Sequence, residues 1–247
     1  MTEHLQPVET WDEGAPHYDA GLRGHGRTAE VDETVACLRR LTDDRPVLEF
    51  AIGTGRIGVP LAATGVAVHG IEYSPGMLAA LRAKPGGAEL PVVLGDMATT
   101  RIDGEFGLVY LVFNTITNLL TQDAQVRCFQ NAADHLGPGG RFLIEVHIPQ
   151  IRRVMPGERH AVFDATGHHT GIDEYDFVNQ TLTSHHTWVD GDRARTFAST
   201  HRYAWPAEYD LMARLAGLEL EHRWADWNGA EFTADSASHV SVWRKPI

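Results

Sequence analysis

Short apolar runs separated by amphipathic stretches of helical period fill the middle of the chain, and this alternation leaves few folds open. Val47-Leu48-Glu49-Phe50-Ala51-Ile52 reads as a buried strand that stops at Gly53. Ala67 to Ile71, Pro91 to Leu94 and Phe106 to Phe113 read as the second, third and fourth strands. Arg141 to Val146 is the fifth, launched by the turn Gly137-Pro138-Gly139-Gly140. Val126, Phe129, Ala133 and Leu136 recur at helical spacing before it, as Val31, Val35 and Leu38 do before the first strand. Strands apolar on both faces, alternating with helices, predict an α/β fold: a doubly wound, mostly parallel sheet covered on both sides. A chain of 247 residues has core enough for one large domain carrying an insert.

From about Ile148 the period shortens to two. Asp173, Tyr175 and Phe177 share one face, as do Leu182, Ser184, His186 and Trp188, and then Phe197, Ser199, His201, Tyr203 and Trp205. Asp190-Gly191-Asp192 is a hairpin signal. The expected division is an N-terminal arm and ligand-binding core over 1–147, a small antiparallel β insert acting as a lid over 148–205, and a return to the core over 206–247. That last part reads as a helix after Pro206, with Leu211, Met212 and Leu215 inward, then strands over Leu218 to Trp224 and His239 to Trp243.

Charge narrows the partners. Lys and Arg number 21 against 33 Asp and Glu, a net −12, which argues against nucleic acid and against anionic membrane surfaces. No apolar run approaches the ~20 residues that span a bilayer. Met1 to Gly14 has neither a signal-peptide nor a transit pattern, and Cys37 and Cys128 form no C-x-x-C, so a reducing cytoplasm is expected. His168-His169 and His185-His186 are adjacent pairs whose members point to opposite strand faces, so no metal site is expected.

The chemistry concentrates in Glu49-Phe50-Ala51-Ile52-Gly53-Thr54-Gly55-Arg56-Ile57-Gly58, where a strand ends in a glycine turn and a helix begins. Backbone N–H groups then face outward at the strand's carboxyl end, and glycine lets a ligand approach the main chain. The spacing Gly53-x-Gly55-x-x-Gly58 is also that of a dinucleotide loop, and a plain tight turn gives it too. Glu72 ends the second strand, 19 residues after Gly53, where a carboxylate accepts both hydroxyls of a ribose. Gly95-Asp96-Met97 ends the third, where a carboxylate accepts from an adenine amino group. No lysine follows the glycine loop, which suits an adenosine ligand without phosphate, and Glu49 adds negative charge for a cationic one.

Together with Gly70-Ile71-Glu72-Tyr73-Ser74-Pro75 and Leu136-Gly137-Pro138-Gly139-Gly140, these segments resemble the class I S-adenosylmethionine-dependent methyltransferases of small-molecule type. The resemblance implies a seven-stranded Rossmann-like sheet of order 3-2-1-4-5-7-6 with strand 7 antiparallel, and S-adenosyl-L-methionine (SAM) as cofactor. It places Gly53 and Gly55 beside the methionine moiety, Glu72 on the ribose, Asp96 and Met97 on the adenine, and Met77 against the adenine ring. Glu49, Ala51 and Tyr73 belong to the same cofactor-binding set, Ala51 standing where the family usually has glycine. Pro16-His17-Tyr18-Asp19 resembles the stretch that closes over the cofactor, with Tyr18 directing its oxygen at the sulfonium. Arg23 and Arg27 are candidates for the cofactor carboxylate.

For the acceptor, Phe113 and Asn114 end the fourth strand and Glu145 and His147 share one face at the end of the fifth. Phe113 contacts the cofactor or shapes the acceptor slot, Asn114 orients the acceptor or caps a turn, and His147 accepts or relays a proton. Tyr175 and His201 are pocket candidates in the insert, while Phe197 and Trp205 are expected to pack. The expected activity is methyl transfer to a small-molecule nucleophile in specialised metabolism. Candidate acceptors are an amine such as an amino sugar, an electron-rich aromatic or indole carbon, or a hydroxyl. An NAD(P)-dependent oxidoreductase and a SAM-binding module without turnover are the alternatives.

Overall fold

In the computed structural model, which describes residues 4–15, 18–19, 28–191 and 193–247, seven strands build one sheet. Pro16, His17, Arg23, Arg27 and Asp192 lie outside the described residues. The strands are β1 (Val47–Phe50), β2 (Val68–Glu72), β3 (Val92–Leu94), β4 (Phe106–Leu111), β5 (Leu136–His147), β10 (Glu219–Trp224) and β11 (Ser238–Arg244). Their spatial order is β3-β2-β1-β4-β5-β11-β10, with β11 antiparallel to both neighbours. That is the order 3-2-1-4-5-7-6, β10 and β11 being the sixth and seventh core strands. β1 pairs in parallel with β2 and β4, so Val47 faces Val68 on one side and Leu108 on the other. Every residue of β1 and β4 is buried, as strands covered on both faces require.

Alternation along the strands feeds two cores. Val109 and Leu111 pack with the helices Gln122–His135 and Pro206–Leu215, where Phe129 meets Phe142 and Trp243 edge-on at 5.0 and 5.2 Å. Leu108 and Tyr110 face the opposite side, where Cys37 and Leu38 of helix Thr28–Leu41 join Ile57, Leu61 and Leu81. Cys37 and Cys128 are both buried free thiols.

Three local readings change. β5 begins at Leu136 rather than Arg141, because Gly137 to Gly140 stay within the strand as an irregular stretch, with Gly139 at φ +73°, a register shift against β4 and Lys245 bonded across it. In helix Pro206–Leu215 the inward face is Tyr209, Met212 and Ala213, while Leu211 and Leu215 are 57% and 68% exposed. Tyr209 stacks on Phe129 and sets that helix's rotation. Phe197 and Trp205, expected to pack, are exposed.

The insert folds as a second sheet in which β6 (His160–Ala165), β7 (His169–Asp176), β8 (Thr181–Asp190) and β9 (Arg193–Arg202) pair antiparallel in sequence order. Register puts Tyr175, Leu182 and His201 on one rung, and Asp173, Ser184 and Ser199 two rungs along. Arg202 ties its end to the core through Gln125 Oε1 and Glu208 Oε1, each at 2.6 Å. The N-terminal helix Val8–Gly14 docks by Asp12, which accepts from Ser74 Oγ and from Gly76 N at 2.8 Å. Leu5 and Leu119 form a β-bridge beside it. No helix among the described residues is long and apolar enough to cross a membrane, and none of their His, Cys, Asp and Glu clusters suits a metal.

Gly55 is the tightest point of the glycine turn. Its φ is +75°, and a Cβ there would lie 2.2 Å from Leu81 Cδ1 and 2.8 Å from Val59 Cγ2. Gly55→Ala is therefore expected to lower the unfolding free energy by about 2–4 kcal/mol, from left-handed strain plus overpacking. Urea denaturation measures it, and a loss below about 0.5 kcal/mol would show that Leu81 yields freely.

Candidate active site

The carboxyl ends of β1 to β5 open into one cavity of about 290 Å³, roofed by the N-terminal segment and by His201 of β9. At the end of β1 the chain turns through Ala51 at φ +50° and Gly53 at φ +59°. Both line the cavity. A Cβ on Gly53 would meet only Ala51 O, at 3.9 Å, so a side chain there would stand in the cleft itself.

Glu72, 5% exposed at the end of β2, holds this turn. Its Oε2 accepts from Gly53 N at 2.6 Å and its Oε1 from Ser74 N at 2.8 Å. Burial raises its pKa, and the backbone N–H groups work in the opposite direction. The Tyr73 N–H acts on the same carboxylate, which as an acceptor-only group keeps capacity for a donor from inside the cavity. At the end of β3, Asp96 accepts from Ala98 N through Oδ1 and contacts His4 Nε2 through Oδ2, both at 2.8 Å. Tyr73, Met77 and Met97 complete this wall, with Trp11 and Tyr18 opposite in chain origin.

The β4 end is unusual in its backbone. Phe113 and Asn114 are both left-handed, at φ +61° and +60°. Glu145 Oε2 accepts from Phe113 N at 2.7 Å, Asn114 N donates to Glu145 O at 3.1 Å, and Asn114 Oδ1 accepts from His147 N at 3.1 Å. Arg56 lies over the Phe113 ring, its guanidinium carbon 4.7 Å from the centroid. Phe113, Asn114 and the exposed His147 all line the cavity. His201 joins them from the insert, its Nδ1 3.2 Å from Thr117 Oγ1 and its Nε2 2.8 Å from Ser199 Oγ. Burial, reinforced by the nearby His186, pushes its pKa down to about 4.

Four residues of the sequence-derived set stand off the cavity wall. Gly55 packs on Leu81. Tyr175, 2% exposed, packs with Tyr203 in a small apolar cluster. Glu145 turns inward, its Oε2 accepting from the Phe113 amide. Glu49 is buried beneath the turn, bonded to Tyr110 Oη at 3.0 Å, and burial drives its pKa up to about 8. At neutral pH it is mostly a neutral acid, so it supplies little of the negative charge expected of it. Conversely, Leu5, Gln6, Trp11, Thr115 and Asn118 line the cavity without having been singled out. The last two continue the stretch Phe113-Asn114-Thr115-Ile116-Thr117-Asn118, whose polar residues were the available signal.

Residues 47–140 match the family described as a methyltransferase domain. With this fold and cavity, the chain belongs to the class I S-adenosylmethionine-dependent methyltransferases, and SAM is its cofactor. Among solved structures it is similar to the CcbJ methyltransferase from Streptomyces caelestis, at 37% identity and a TM-score of 0.87, covering 98% of this chain and 100% of that one. A cypemycin N-terminal methyltransferase from Streptomyces sp is 28% identical over 206 residues, 82% of this chain and 84% of its own length. CalS10, an amino pentose methyltransferase from Micromonospora echinaspora with SAM bound, shares the fold at a TM-score of 0.73 and 21% identity, covering 92% of this chain and 96% of that one.

The donor set fits this cofactor. The Glu72 carboxylate at the cavity wall suits ribose hydroxyl donors, and the open face of Gly53 suits close approach of a ligand to the main chain.

Two outcomes are expected. Glu72→Ala should weaken SAM binding at least tenfold by calorimetry, since charge-assisted hydrogen bonds contribute about 1.5–3 kcal/mol each; unchanged affinity would remove Glu72 from the site. Glu49, with an ordinary pKa of 4.5 raised to about 8, keeps its proton in the folded state across that window while the unfolded chain loses it. Stability should therefore fall as pH rises from about 5 to about 8, by up to about 1.4 kcal/mol per unit. Glu49→Gln should flatten that slope in urea melts.

Proposed function

We propose that the chain N-methylates a small-molecule acceptor carrying a primary or secondary amine. The observation that carries this is that two acceptor-end groups able to deprotonate a hydroxyl, His201 and Glu145, are committed to other contacts. His201 has a pKa near 4 and both ring nitrogens in hydrogen bonds, and Glu145 is held by the Phe113 amide. A neutral amine brings its own lone pair and needs mainly alignment and exclusion of water, whereas a hydroxyl must first lose a proton. When bound, SAM supplies a methyl group on a sulfonium, whose carbon–sulfur bond breaks with both electrons staying on sulfur as nitrogen bonds the carbon.

The chain's own residues do the rest. Glu72 and Asp96 fix the nucleoside end, and the clamped Phe113-Asn114 turn presents the aromatic ring and the amide at the acceptor end. Leu5 and Trp11 exclude water from above. His147, exposed at the mouth, accepts the proton that the methylated ammonium releases. The 28%-identical relative, named an N-terminal methyltransferase, supports an amine, and so do an amino pentose methyltransferase and a sugar N-methyltransferase that share this fold.

The test is product mass spectrometry with methyl-labelled SAM and a panel of amino sugars, small peptides, biogenic amines and indoles. Label on an amine nitrogen is the expected result. Label on carbon or oxygen, with amines left unmodified, overturns the reading.

A further inference from the structure

The N-terminal segment carries the same device twice. Trp11 and Tyr18 both line the cavity, and each is followed directly by an aspartate, Asp12 and Asp19. Both aspartates are committed to loops that follow core strands.

Asp12 grips the loop after β2. Its Oδ1 accepts from Gly76 N at 2.8 Å and from Ser74 Oγ. Ser74 is fully buried, and its Oγ accepts in turn from Met77 N at 3.0 Å, so its single proton goes to Asp12. Gly76 makes the approach possible. A Cβ there would lie 2.9 Å from both Cα and Oδ1 of Asp12, and any larger residue would push the segment away.

Asp19 grips the loop after β1. Its Oδ1 accepts from Thr54 Oγ1 at 2.7 Å, and its Oδ2 pairs with Lys84 Nζ at 2.5 Å. Thr54 is buried in the glycine turn. Lys84, just past the helix Pro75–Arg82, stands off the cavity wall.

The two grips converge on one carboxylate. Ser74 N donates to Glu72 Oε1, and Gly53 N, beside Thr54, donates to Glu72 Oε2. Whatever places Glu72 therefore also places Asp12 and Asp19. Adjacent Cα atoms are about 3.8 Å apart, so an anchored aspartate fixes the root of the aromatic side chain before it. Chain ends lose order unless tied down, and these are the ties. An aromatic face also attracts a cation, and SAM carries its positive charge on sulfur.

We propose that Asp12 and Asp19 are positioning residues, each holding the ring before it, Trp11 and Tyr18, against bound SAM. The inference concerns the cofactor and stands whichever atom of the acceptor is methylated.

The test is calorimetry of the full chain with SAM, with the Tm of the ligand-free protein alongside. Asp12→Ala and Asp19→Ala should each weaken SAM binding about threefold to thirtyfold. Made in a Trp11→Ala or Tyr18→Ala background respectively, the same change should cost less than about twofold, because the ring it positions is gone. Asp12→Ala should keep its full cost in the Tyr18→Ala background, since each aspartate acts through its own neighbour. Asp12→Asn, which retains the oxygen that Ser74 and Gly76 address, should recover most of the loss. Lys84→Met, which leaves every cavity residue in place, should reproduce part of the Asp19→Ala loss and add nothing to it. An aspartate change that costs as much without its ring as with it overturns the proposal: with Tm unchanged that aspartate touches the cofactor itself, and with Tm lowered it serves the fold. Full SAM affinity in Asp12→Asn, Lys84→Met and both alanine variants of the aspartates overturns it as well. So does full affinity in Trp11→Ala and Tyr18→Ala, since the rings would then lie off the cofactor.

Discussion

A buried carboxylate holding the backbone of the neighbouring strand's turn is the interaction on which this site depends. Glu72, at the end of β2, reaches across to Gly53 N after β1 and also satisfies Ser74 N after its own strand. Glu145, near the end of β5, does the same for Phe113 N after β4. Asp12, from the N-terminal helix, accepts from Gly76 N, and Asp96 accepts from Ala98 N within its own turn. Each turn exposes N–H groups that would otherwise be unsatisfied at the edge of a cavity, and charge-assisted bonds to them are roughly twice as strong as neutral ones. The carboxylates thus shape the loops and charge the cleft with the same atoms. This also explains why Phe113 and Asn114 persist in left-handed conformations that cost of order 1–3 kcal/mol each.

The roof of the cavity is assembled from distant parts of the chain meeting on one short turn. Leu5 bridges to Leu119, Gln6 Nε2 donates to Thr200 O, and His201 contacts Thr117. The N-terminal segment therefore touches both the core and the last strand of the insert. These contacts couple whatever orders the first residues to the placement of His201.

The core strands were legible because most are apolar on both faces, their order came with the family resemblance, and the shift from helical period to period two announced the second sheet. What failed to show depends on tertiary context. Gly137 to Gly140 have turn chemistry, yet the C-terminal residues pair across them and make them strand. Leu211 and Leu215 are the more apolar residues of their helix, but the stacking of Tyr209 on Phe129 rotates them outward. Glu145 and His147 have the parity expected of them, and only the left-handed turn opposite explains why one goes inward and the other to the cavity. Glu72, Asp96 and Met97 were visible because strand ends are fixed by apolar runs. Thr115 and Asn118 were harder to single out, since a 3-10 turn has no periodic signature and only its run of polar residues marks it.

The span matched as a methyltransferase domain runs from residue 47 to 140, whereas the vessel is walled by residues from Leu5 to His201. Leu5, Gln6, Trp11, Tyr18, His147 and His201 all come from outside that span. The inherited module is thus a cup lacking part of its rim. Drift in the flanking segments can retune which guest is admitted while the nucleoside grip stays as it was.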